Sequence, residues 1–306
     1  MKKRLFFLIV IVTLLLGVLP VSVTAQEGEG PAQVGLRPDA PPYALHGPYW
    51  VGAREFVIEP ESERPLPLTV WYPALNPESQ PEAITYVYDN FATLTGFTEQ
   101  GHALAEAAPD LDNGPYPLVI VSHGNVWYRY AFAYLAEHLA SHGFAVMAID
   151  HTGNTLAYGT DPELAGANFE GWAASIVTAA VYRPADIQRT IDYAAVLTGE
   201  NQVLAGMIDL EHIGVVGHSY GGYTALVSAG AQVNVTPQRE WCEANAANPV
   251  FQDHLGYTLL CPIFADSEAQ MLAMRGITTP SGELWPPFDV AGVRGVVPAG
   301  QQESCW

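Results

Sequence analysis

Ile213-Gly214-Val215-Val216-Gly217-His218-Ser219-Tyr220-Gly221-Gly222 is the stretch on which the reading of this chain turns. Its first four residues form a short apolar run, the pattern of a strand buried on both faces. The next five spell G-x-S-x-G, and Tyr223 to Ala229 continues as a helix of small residues. In such a strand-turn-helix the glycines permit a turn so sharp that the serine backbone is strained and its hydroxyl stands clear of the sheet edge. Gly217 and Gly221 flank that turn, and Gly222 lets the helix start close to the strand. G-x-S-x-G alone is a common string. The buried strand before it and the helix after it make Ser219 a candidate nucleophile.

A serine hydroxyl at neutral pH needs a base, and the tetrahedral intermediate it forms needs donors for its oxyanion. One donor is the amide of Tyr220, at the mouth of the helix. The other is expected where a second apolar run, Leu118-Val119-Ile120-Val121, leaves the sheet through Ser122-His123-Gly124-Asn125. It is assigned to the Asn125 amide.

Outward from these runs, strands alternate with amphipathic segments. Residues 128 to 142 place Phe132, Leu135 and Leu139 on one helical face, with Gly143 as the cap. Phe144 to Ile149 is a further buried strand. A helix with Pro184 in its first turn carries Ile187, Ile191, Ala194 and Ala195 on one face and ends before Gly199. Arg294-Gly295-Val296-Val297 is the strand expected after the serine motif. The alternation implies an α/β fold, a mostly parallel sheet with helices on both faces. Upstream, Val51 to Ile58 and Leu68 to Tyr72 read as an antiparallel hairpin. Residues 76 to 115 look irregular except for a strand at Ile84 to Tyr88. Residues 231 to 291 break the rhythm and read as an insertion over the active-site edge, closed by a Cys242–Cys261 disulfide.

The runs Val119-Ile120-Val121-Ser122-His123-Gly124, Ile149-Asp150-His151, Arg183-Pro184-Ala185-Asp186-Ile187 and 213 to 222 occur in the same order in the platelet-activating-factor acetylhydrolases. They also occur in secreted bacterial proteins called predicted dienelactone hydrolases, and Val70-Trp71-Tyr72-Pro73 looks like the early strand of both. The chain resembles that family from about residue 47 to 230. The resemblance implies an α/β-hydrolase fold and hydrolysis of carboxylic esters through a Ser-Asp-His triad, with no metal and no cofactor. Dienelactone hydrolases proper use a cysteine nucleophile, and Ser219 argues against that activity.

In this fold the triad runs Ser, then Asp or Glu, then His along the chain. After Ser219 the sequence holds one histidine, His254, inside the Cys242 to Cys261 loop and ahead of the next sheet strand. It reads as a solvated side chain on a lid. Asp289 and Glu303 lack the setting of a triad acid. His123 belongs to the oxyanion loop and His218 to the turn, both with structural roles. His151 either lines the pocket or is a hydrogen-bonding loop residue, and His138 and His142 fall on a helix as surface or packing residues. The expectation is therefore a C-terminally incomplete α/β-hydrolase that lacks its triad Asp and His and is poorly active.

The remainder of the sequence bounds location and partners. Lys2, Lys3 and Arg4 precede an apolar stretch to about Leu19, and Val23-Thr24-Ala25 supplies a cleavage site, so residues 1–25 read as a signal peptide. Residues 26–46 follow as a Gly, Pro and Glu-rich leader, and 47–306 as the catalytic domain. No later run is long and apolar enough to span a bilayer. The expected location is secreted or periplasmic. The formal net charge is -20, and without the three signal-peptide cations nine Lys and Arg face 32 Asp and Glu. That surface repels nucleic acid and anionic headgroups. The expected partner is a small-molecule, lipid or polymer ester, with Trp127, Tyr128 and Trp172 as candidates for an apolar acyl pocket. Two other classes stay open: a non-catalytic binding protein that keeps the fold, and an amide hydrolase using the same residues. Cys305 is left without an obvious partner.

Overall fold

The computed structural model describes residues 39, 41–88, 97–156, 169–234, 236–252, 261, 272–273, 287–288 and 290–299. Residues 1–25, read above as a signal peptide, most of the segment 26–46, His254, Asp289, Glu303, Cys305 and the side chain of Trp172 lie outside the described residues. Pro42–Ala44 form one 3-10 turn.

The strands are β1 (Trp50–Ile58), β2 (Leu66–Ala74), β3 (Ile84–Tyr88), β4 (Phe97–Gly101), β5 (Leu104–Ala105), β6 (Tyr116–Ser122), β7 (Ala145–Ile149), β8 (Ile208–His218) and β9 (Val293–Ala299). The helices are α1 (Ala133–Ser141), α2 (Phe169–Leu197), α3 (Tyr220–Ser228), α4 (Thr236–Asn245) and α5 (Pro249–Gln252). Seven strands make one sheet in the order β5-β1-β2-β7-β6-β8-β9. β7, β6, β8 and β9 run parallel, while β2 is antiparallel to both β1 and β7. All five residues of β7 are buried, as an apolar run covered on both faces should be. On one face Ile187, Ile191, Ala194 and Leu197 of α2 pack over Leu68, Val70, Leu118, Ile120, Met147 and Val215. On the other, Ala133, Ala136 and Ala140 of α1 cover Trp71, Val121, Val146 and Ala148. This is an α/β-hydrolase fold. From β6 the chain steps first to β7 on one side and later to β8 on the other. The crevice at such a switch point lies beyond the carboxyl ends of β6 and β8. Among the described residues, no helix is long and apolar enough to cross a membrane.

Three expectations need correction. The buried face of α1 is Ala133, Ala136, Glu137, Ala140 and Ser141, not Phe132, Leu135 and Leu139. Small residues face the sheet because they allow close approach, and the larger ones sit half-buried at the flank. Pro184 lies inside the 29-residue α2 instead of in its first turn. Proline has no N–H to give the carbonyl four residues back. That carbonyl, Ala180 O, instead accepts the Tyr223 hydroxyl at 3.0 Å, so α3 meets the need that α2 cannot. The region read as irregular also holds β4, which pairs with β3 in a separate two-stranded sheet, and β5.

Glu137 is a charged residue on a buried helix face, and its setting makes a pH prediction. Its Oε1 accepts the Tyr86 hydroxyl at 2.6 Å and the His102 amide at 2.8 Å. Burial still raises its carboxyl above the ordinary 4.5. A raised acid binds protons more tightly when folded, so its cost is absent below the unfolded value and appears as pH rises through the folded one. Glu137→Gln keeps the acceptor oxygen. In urea titrations at pH 4.5 and 7.5 it should match or exceed the wild type at the higher pH and depend less on pH. A variant weaker at pH 7.5 with an unchanged pH slope would contradict the account.

The Cys242–Cys261 disulfide forms as expected, with a sequence separation of 19. A loop of that length stabilises by about 3 kcal/mol in the chain-entropy model. The double variant Cys242→Ser with Cys261→Ser should lower the urea midpoint accordingly, and reductant should have no further effect on it.

Candidate active site

Ser219 sits between β8 and α3 at φ 54° and ψ -117°. An L residue held there stores about 1–3 kcal/mol of strain, which the surrounding packing has to offset. That packing is visible at the two flanking glycines. A Cβ on Gly217 would lie 1.9 Å from Gly221 O, and one on Gly221 would lie 1.9 Å from Ser122 O. The first turn of α3 therefore presses on the end of β6, where only hydrogen fits. The Ser219 carbonyl accepts the Gly222 amide at 2.9 Å and starts the helix.

The same compression brings the loop after β6 to the serine. A Cβ placed on Gly124 would stand 3.7 Å from Ser219 Cβ and 3.5 Å from His218 Nδ1. Ser219, Tyr220 and the loop carrying Asn125 are thus neighbours, as the sequence spacing implies. Asn125 is pinned through its side chain, whose Oδ1 accepts Asn154 Nδ2 at 2.8 Å. Trp127, nearby, is 44% exposed and bridges in parallel to Thr155. Tyr128 is buried, with its ring against Tyr88, and reads as packing.

Beneath the loop lies a buried polar layer. Arg183 of α2 donates to His123 O at 2.8 Å and to Gly124 O at 3.0 Å. His123 Nε2 accepts the His151 amide at 3.1 Å, which leaves Nδ1 to carry the proton and donate to Gly124 O at 2.7 Å. His151 contacts Ser122 Oγ through Nε2 at 2.9 Å and Asp186 Oδ2 through Nδ1 at 3.1 Å. With Nδ1 protonated toward the carboxylate, Nε2 accepts the serine hydroxyl, and the hydrogen-bond order is that of a Ser-His-Asp triad. Ser122, His151 and Asp186 are nevertheless fully buried. The constellation braces β6, β7 and α2 and does not meet solvent. His151 is therefore closed off from solvent, and its ring joins the ends of β6 and α2 through these two contacts. Burial, reinforced by the Arg183 charge, holds both histidines neutral, well below the ordinary imidazole range. Asp186 also accepts from Arg64 at 3.1 and 3.0 Å and from Arg189 at 3.3 Å. Burial raises its carboxyl, and the three arginines around it pull back.

Sequence reasoning placed Arg183 and Asp186 only within a resembling string and assigned them no role. The available signal was a cation and an anion three residues apart on the helix face that also carries Ile187 and Ile191.

Among the described residues, no histidine hydrogen-bonds Ser219. The His218 ring is exposed and packs 5.6 Å from Phe132. His142 contacts the Leu45 carbonyl at 2.9 Å, and His212 contacts Asp209 at 2.6 Å. A cavity of about 650 Å³ is lined by Glu55, Phe56, Val57, Arg129 and Tyr130 among others, none of them from the turn at Ser219 or from residues 123–125.

Residues 93–238, just under half of the chain, match the family model described as Chlorophyllase. A 177-residue stretch, 56% of the chain, is 28% identical to dipeptidyl aminopeptidase BIII of Pseudoxanthomonas mexicana and spans 22% of that protein. A ferulic acid esterase from Streptomyces cinnamoneus superposes with a TM-score of 0.43 at 28% identity, over 62% of this chain and 57% of the other. The chain thus spans about a fifth of the curated relative and just over half of the solved one.

Proposed function

We propose that this chain, a hydrolase of the α/β-hydrolase type, cleaves carboxylic esters by acyl transfer through Ser219. The amides of Tyr220 and Asn125 receive the oxyanion. The observation that carries the reading is the strained Ser219 backbone, held by two glycines that admit no Cβ, directly beside the loop after β6. Strain at one residue, locked by its neighbours, is the means by which this turn presents a nucleophile. Similarity to an esterase and to a peptidase leaves the acyl-transfer chemistry common to both. The quoted runs favour esters of the kind the platelet-activating-factor acetylhydrolases take. Trp127, 44% exposed and two residues past Asn125 in the chain, is the candidate contact for an acyl group. The signal-peptide pattern supports export, and the Cys242–Cys261 bond is in keeping with an oxidising compartment.

The test is hydrolysis of p-nitrophenyl acetate and p-nitroanilide analogues by the full chain and by Ser219→Ala. A Ser219-dependent ester rate is expected, low because no histidine among the described residues meets Ser219, and lost in the variant. Equal rates in the two proteins would end the proposal. The lack of a histidine on Ser219 among the described residues favours a second reading, a binding protein that keeps the fold without the chemistry. A fluorophosphonate probe separates the two, since it labels an activated Ser219 and leaves an idle one unmodified.

A further inference from the structure

We propose that Arg183 is a positioning residue for the oxyanion loop, setting the direction in which the Asn125 amide points. The inference rests on the reading of Ser219 and Asn125 given above. Arg183 is fully buried on α2, and its two terminal nitrogens donate to consecutive loop carbonyls, His123 O at 2.8 Å and Gly124 O at 3.0 Å. In a planar trans peptide the C=O of one residue and the N–H of the next point in opposite directions. Drawing the Gly124 carbonyl inward to the guanidinium therefore turns the Asn125 N–H outward, away from the core. The His123 carbonyl does the same for the Gly124 N–H.

Two further contacts make this direction hard to reverse. Gly124 O also accepts His123 Nδ1–H at 2.7 Å, so a flip of the 124–125 peptide would break two bonds in a water-free setting. The guanidinium also lies 4.9 Å from the centre of the Tyr220 ring. One cation thus touches both segments that carry the proposed oxyanion donors, and it fixes one relative to the other.

As packing alone, the arrangement is poor. Among the described residues no carboxylate pairs directly with Arg183, and its Nε is buried without a partner. Burial pulls its pKa down to about 10. A buried charge that is incompletely paired costs several kcal/mol, and an apolar side chain of similar volume would fill the space more cheaply. Only a guanidinium, with its planar fork of donors, bridges two successive carbonyls. The cost is offset by the loop conformation.

The test uses Arg183→Lys in the full chain, which keeps the buried cation but not the fork, with Arg183→Met beside it. Backbone amide spectra report the loop directly. The Asn125 and Gly124 signals should shift and exchange faster, while amides of β7 and α1 stay in place. On p-nitrophenyl acetate, kcat should fall about 10²-fold, the loss typical of one misplaced oxyanion donor, with KM within about two-fold. Unmoved Asn125 and Gly124 signals in folded Arg183→Lys overturn the proposal. So does a kcat within two-fold of a Ser219-dependent wild-type rate. If wild type and Ser219→Ala hydrolyse the ester equally, the ester-hydrolase reading fails by itself, and the amide signals alone decide whether Arg183 sets the loop.

Discussion

Gly221→Ala is expected to cost about 3 kcal/mol or more and to abolish the turn that presents Ser219. The new Cβ would lie 1.9 Å from Ser122 O, 2.7 Å from its carbonyl carbon and 2.9 Å from His123 O. Every atom it meets is backbone, so no side-chain rotation gives relief. The first turn of α3 has to move off β6, and that carries Ser219 away from the loop bearing Asn125. Gly217→Ala meets the same fate against Gly221 O and C, at 1.9 and 2.1 Å. Gly295→Ala on β9 is the control: among the described residues, no heavy atom beyond its chain neighbours lies within 4 Å of its Cβ position. It should stay within about 0.5 kcal/mol of the wild type. Urea denaturation of the three variants checks the ranking, and similar losses at all three would remove the steric argument.

Asp186→Ala should cost about 3–5 kcal/mol, because it strips the common partner from a buried cluster. Arg64 and Arg189 would lose their shared carboxylate, and His151 the acceptor that orients its ring toward Ser122. Arg64 keeps the Thr152 carbonyl and Arg189 keeps Glu59 and the Arg64 carbonyl, but the fully buried His151 Nδ1 loses the acceptor it donates to. The outer end of the same network offers a comparison. Arg189 also pairs with Glu59 at 2.7 Å, but the Glu59 side chain is 58% exposed. Glu59→Gln should change stability by no more than about 1 kcal/mol, an effect that added salt would shrink further. The Asp186→Ala loss should persist at 0.5 M NaCl, since buried pairs are screened little. An Asp186 effect as small and as salt-sensitive as that of Glu59 would mean that the cluster is not the brace described here.

Much of the fold was legible from the chain because its signals are local. Apolar runs such as Leu118 to Val121 and Ile213 to Val216 mark buried parallel strands without reference to anything distant. Gly217 answers a constraint four residues away, at Gly221 O, whereas Gly221 answers one set by Ser122 in another strand. β4 and β5 escaped notice because Phe97–Gly101 is a polar strand of a small side sheet, and Leu104–Ala105 is too short to show a period. The α1 face was misread because alanines bury against a sheet while larger neighbours do not. Pro184 was misplaced because the group that compensates for it, the Tyr223 hydroxyl, is some forty residues away.

The site divides along the same line. Ser219 and its neighbour Tyr220 were readable because strand, turn and helix are contiguous. The layer beneath them was not readable. Arg183 and Asp186 share α2, but His123, His151 and Arg64 come from three other segments, and nothing in any one segment says which carbonyl a guanidinium will reach. Tertiary structure alone decided that Ser122, His151 and Asp186 would adopt the hydrogen-bond order of a triad while fully buried. Spacing along a chain encodes local geometry, but burial and the partner of a long polar side chain are set only when distant segments close on one another.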